Sequence, residues 1–183
     1  MSENSPIKDA LYTEIDDLGQ ERIHDLLLEG KFSELFEKIY QPSINKIKEN
    51  IDEYEKHGML AESLTHYLFT EMLIPSQRKI IFEDIELDMI IPNTAELKKN
   101  INDVVLIHFV KTSKKDNIKL KIQKMKEIQK FDANIWIISK ENISIPQVLY
   151  TTKSDSFSKF LKDAQDFVKI KEMNKLNIFK TKI

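Results

Sequence analysis

Residues 78–91 read RKIIFEDIELDMII and residues 104–111 read VVLIHFVK. The first segment alternates and then runs apolar, with Ile80, Ile81 and Phe82 followed by Leu87, Met89, Ile90 and Ile91. The second is short and rich in β-branched residues, as a buried strand is. Together they predict two or three adjacent strands. Glu86 and Asp88 stand two apart, which puts both on one face of a strand, and Lys111 ends the apolar run that follows. Carboxylates on one strand beside a lysine on its neighbour are the groups that hold a divalent cation and a phosphate.

Outward from this centre the chain reads as helices. Residues 6–57 carry apolar positions at three- and four-residue spacing: Leu11, Ile15 and Leu18, then Ile23, Leu26 and Leu27. A third helix is expected over 32–40, and Pro42 is expected to open a fourth with Ile44, Ile47, Ile51 and Tyr54 as its face. His57-Gly58 is expected to close that helix, and a further one is expected over about 60–73. In it Glu62, His66 and Thr70 share a face. Glu62 lies on or near the buried side, and His66 is expected to be packed or hydrogen-bonded rather than a ligand. After the strands, Ile118, Ile122, Met125 and Ile128 mark an amphipathic helix among many lysines. Residues 133–139 (ANIWIIS) form a compact buried strand, and residues 157–168 a last helix. The basic tail from Lys171 is read as frayed or as an edge element. The order is α/β, an antiparallel meander followed by a crossover to a parallel strand.

Composition excludes several classes of function. The 183-residue chain has no cysteine and four histidines, which removes disulfide frameworks and thiolate metal sites and makes a structural zinc site a poor fit. Its three glycines all precede the strands, so there is no glycine-rich phosphate loop. No apolar run reaches membrane length and the N-terminus is acidic and polar, so a cytoplasmic protein with no membrane partner is expected. The net charge of −2 conceals a split. Residues 1–100 carry 11 Lys+Arg against 21 Asp+Glu, whereas residues 101–183 carry 17 against 9. Solvated faces account for such a split, and so does an electrostatic footprint for nucleic acid, for which Lys114, Lys115, Lys119 and Lys121 are the candidates.

A helix with Glu62, a strand with the ELD tripeptide at 86–88, an apolar strand ending in Lys111, then a helix and the IWIIS strand resemble the core of the PD-(D/E)XK, or restriction-endonuclease-like, nuclease superfamily. Archaeal Holliday-junction resolvases belong to it. The resemblance covers roughly residues 60–140. It implies a restriction-endonuclease-like mixed sheet flanked by helices over residues 59–183, with residues 1–58 as a helical N-terminal extension available to a protein partner or a homodimer. It also implies catalytic roles for Glu62, Asp88 and Lys111. Mg²⁺ would sit on Asp88, Glu86 and Glu62, Lys111 would hold the attacking water, and DNA would be the substrate. The chain departs from the pattern at Phe109, where the family carries a metal-binding acid. Strand alternation sets Phe109 on the same side as Lys111 and His108 opposite, so Glu86 is the candidate for a displaced ligand. Two functions follow, a metal-dependent DNA endonuclease with a rearranged site, or an inactive nuclease-fold module for DNA binding or assembly.

Overall fold

The computed structural model describes residues 5–47 and 50–180, with side chains as far as Met173. A five-stranded mixed sheet forms the middle layer, its strands in sequence order: β1 (Gln77–Phe82), β2 (Ile85–Ile91), β3 (Val105–Phe109), β4 (Ile135–Ser139) and β5 (Val148–Thr151). β1, β2 and β3 form an antiparallel meander, and β4 and β5 join parallel to β3. The meander and the parallel crossover therefore stand as the sequence predicts. β5 extends the sheet by one strand, from a run of four residues too short to signal a strand alone.

Four helices precede the sheet: α1 (Pro6–Leu18), α2 (Gln20–Leu28), α3 (Phe32–Lys46) and α4 (Glu53–Glu71). With α7 (Ser154–Lys180) they cover one face, where Met89, Ile91, Val105, Ile107, Phe109, Trp136 and Ile138 point. The short α5 (Thr94–Lys99) and α6 (Lys115–Ile128) cover the other face, over Leu87, Ile90, Leu106, Ile135 and Ile137. The central strands are sandwiched between helices, which is why β4 reads as an apolar run and β3 as one interrupted only by His108.

Three helix boundaries differ from the sequence reading. α3 runs through Pro42 to Lys46, because Phe36, Ile39, Tyr40, Ser43 and Ile44 are all buried on one side and hold the turn that the missing N–H weakens. α4 passes through Gly58 without a break, starting at the Asp52 cap, whose side chain accepts the N–H groups of Tyr54 and Glu55. A boundary at residue 58 thus falls within a helix. α7 continues to Lys180, so the basic tail is helical there, and residues 181–183 lie outside the described residues. No described helix is long and apolar enough to cross a membrane.

Candidate functional site

The site starts from a local irregularity in β1 and β2. Their ladder pairs Arg78 with Met89 and Ile80 with Leu87 but not Lys79 with Asp88, and Lys79 takes a φ of 50°. A lysine in that left-handed region does not continue a pleated strand. The phase of burial shifts across it: Leu87 faces α6, whereas Met89 faces the helices on the opposite side. Strict alternation would have kept these two on one face.

Asp88 sits at the shift. The β2–β3 ladder runs from Ile91↔Val105 to Met89↔Ile107 and stops there. At the next rung the Asp88 carboxylate takes the place of the backbone. Its Oδ2 accepts the Phe109 N–H at 2.9 Å and the His108 Nδ1–H at 2.6 Å, and its Oδ1 lies 3.5 Å from Lys111 Nζ. Burial acts to raise this carboxyl, but the His108 ring, the Lys111 ammonium and the Phe109 N–H together hold it well below the usual carboxylate range.

Glu62 arrives from α4. It is 3% exposed, and its two oxygens accept different cations: Lys111 Nζ at 2.7 Å and the Arg78 guanidinium at 3.0 Å. Lys111 therefore bridges Glu62 and Asp88. Burial works against its charge, but the two carboxylates outweigh that and raise its pKa above the ordinary lysine value. Gly58 makes the bridge possible. A Cβ there would lie 2.4 Å from the Val110 carbonyl oxygen and 2.8 Å from Lys111 Cγ, so only glycine lets α4 approach the end of β3 so closely.

Of the residues expected at the centre, Glu62, Asp88 and Lys111 come together. Glu86 does not: it lies before the phase shift, is exposed, and its side chain makes no hydrogen bond or ion pair among the described residues. Phe109 is fully buried in the core. Two partners carry no signal of their pairing in the sequence pattern. Arg78 sits at the start of β1, where nothing marks it, and His108 lies on the face opposite Phe109, as alternation along β3 predicts, where Asp88 meets it. His66 is exposed rather than packed. Among the described residues no group of three His, Asp or Glu side chains is gathered as a metal site would need. Mg²⁺ on Glu62 and Asp88 would require Lys111 to swing aside, because its ammonium stands between the oxygens that an ion would share. The arrangement as it stands is a closed set of ion pairs.

Lys114, Lys115 and Lys119 follow Lys111 along the loop and first turns of α6, exposed and with no ion-pair partner among the described residues. Lys121 differs, donating to the Glu86 carbonyl oxygen. No protein-family model, curated protein or solved structure matches this chain.

Proposed function

We propose that this protein is a DNA-binding module on a nuclease-like α/β scaffold, whose acid–lysine centre is closed by ion pairs so that it holds nucleic acid without cutting it. The observation that carries this reading is the Lys111 bridge between Glu62 and Asp88, next to Phe109, whose buried ring stands where the nuclease resemblance expects an acid. A nuclease centre needs carboxylate oxygens open to a cation, and here each carboxylate is already occupied by fixed positive charge. The same lysine end of β3 leads into Lys114, Lys115 and Lys119, which are free to contact phosphates without reading bases.

The test is fluorescence anisotropy on labelled duplex and four-way-junction DNA over a salt series, with cleavage assayed in parallel in Mg²⁺ and Mn²⁺. Binding should fall linearly in log–log form with salt. Replacing Lys114, Lys115 and Lys119 by Ala should flatten that slope by about 0.9 for each phosphate that is no longer neutralised, and weaken all sequences alike. No cleavage is expected. Absence of binding at low salt would remove the DNA reading, and metal-dependent cleavage that Asp88→Ala abolishes would replace it with an active endonuclease.

A further inference from the structure

Leu28 and Leu73 are each 87% exposed, more than any other large apolar side chain described. They come from different helices, yet both border one groove, together with Leu27 and Met72. Singly exposed leucines need no explanation, but two converging on one depression form a patch.

Neither leucine serves the fold. α2 and α4 end in the same kind of turn, with the N–H beyond the turn residue reaching back to Leu26 in one and Phe69 in the other. In α2 the left-handed position is filled by Gly30, with φ 68°. In α4 it is filled by Leu73, with φ 55°, although a leucine there is strained and its side chain stands in solvent. A residue that is poor for the turn and absent from the core is explained by what it touches outside the chain.

The groove continues along α7 and acquires charge. Leu27, Leu28 and Gln165 belong to both its parts, and the second part is walled by Lys159, Lys162 and Lys169. Lys159 is held by Asp163. Lys162 and Lys169 are exposed and have no ion-pair or hydrogen-bond partner among the described residues. Against them the wall carries one unpaired carboxylate, Asp155, while Glu71 is held by His24 and Gln20. The groove thus offers an apolar floor beside an excess of free ammonium groups.

We infer that this groove receives an amphipathic helix of another protein, which sets leucine-like side chains against Leu28 and Leu73 and carboxylates against Lys162 and Lys169. The wall from Asp155 to Lys169 rises about 21 Å at ~1.5 Å per residue, the length of roughly four helical turns. The exposed apolar side chains of the groove are leucines, and its one aromatic, Phe32, is buried, so it offers no open ring on which a base of single-stranded nucleic acid could stack, while the charge selects an acidic flank.

Three synthetic 18-residue helices with one leucine stripe, flanked by Glu, Gln or Lys, test this by fluorescence anisotropy with the full chain. The Glu-flanked helix should bind at least tenfold more tightly than the Gln-flanked one, and the Lys-flanked helix least. Leu28→Ser with Leu73→Ser should lower that affinity at least tenfold. Lys162→Glu with Lys169→Glu should reverse the order of the three peptides. All four positions are exposed, so circular dichroism should show both double variants folded as wild type. Equal binding of the three helices, or binding indifferent to the leucine pair, overturns the inference. So does a wild-type dimer in sedimentation that the leucine pair dissolves, since the occupant would then be a second copy.

Discussion

Asp88 collects three donors because β2 and β3 part at the rung where its carboxylate lies, and the side chain completes what the backbone ladder leaves open. Its charge is therefore part of the fold, and the pH dependence follows. A carboxyl held below its ordinary value of 3.8 contributes stability in full above that value and loses it as pH falls through the folded-state value. Lys111, raised above 10.5, contributes in full below that value and fades only in strong alkali. Asp88→Asn should thus cost about 3 kcal/mol at pH 7, the scale for leaving buried partners unpaired. Urea titrations of the variant and wild type should draw together as pH falls from 4 to 2. A difference that stays constant over this range would show that the charge of Asp88 does not hold the site. Phe109→Glu would instead bury a carboxylate where no cation is free, and should unfold the chain.

At the scale of elements, the decisive contact is that of α4 with the end of β3. α4 brings Glu62 to Lys111 only because Gly58 has no side chain where the Val110 carbonyl passes. In an ordinary helix interior Gly→Ala adds about 1 kcal/mol of stability. Here the added methyl meets backbone oxygen rather than the end of a flexible side chain, so overpacking at about 1–3 kcal/mol outweighs the propensity gain. Gly58→Ala should lower the urea midpoint, and it should weaken the Glu62–Lys111 pair as the helix is pushed outward. A higher midpoint with unchanged slope would mean that α4 does not approach β3 as described.

Over the whole molecule, the N-terminal helices and the sheet share one core. Phe36 of α3 stacks on Tyr40 at 4.4 Å between ring centroids and meets Phe157 of α7 at 4.8 Å, and Phe157 in turn meets Phe160, which packs on Trp136 of β4. Tyr40 also hydrogen-bonds His57 at the start of α4 at 2.7 Å. Burial keeps that His57 ring neutral at values where a free histidine charges, so acid strains this junction too. Unfolding should therefore be a single transition, with far-UV circular dichroism and Trp136 fluorescence coincident. Removing residues 1–52 should abolish the native Trp136 signal, because the aromatic face of α7 would lose its cover. A folded fragment 53–183 with native sheet shifts would show instead that the N-terminal helices are an independent extension.

The sequence by itself determined most of the order of elements, because that order is written in local periodicity: apolar runs where a strand is covered on both faces, three- and four-residue spacing where a helix has one face inside; the short α5 and β5 left no such trace. The strand pattern also put Asp88 and Lys111 on neighbouring strands, whereas Glu62 was set beside them only by the resemblance to the nuclease core. Helix ends were less legible, because Pro42 and Gly58 carry strong local signals that packing overrides. The tertiary structure alone decided what the three charges do. The left-handed Lys79 accompanies the phase shift in β2, which separates Glu86 from Asp88 and lets Asp88 meet His108. Arg78 reaches Glu62 across sixteen residues. Such partners depend on where one strand departs from regularity, and a departure of one residue leaves no periodic trace in the sequence.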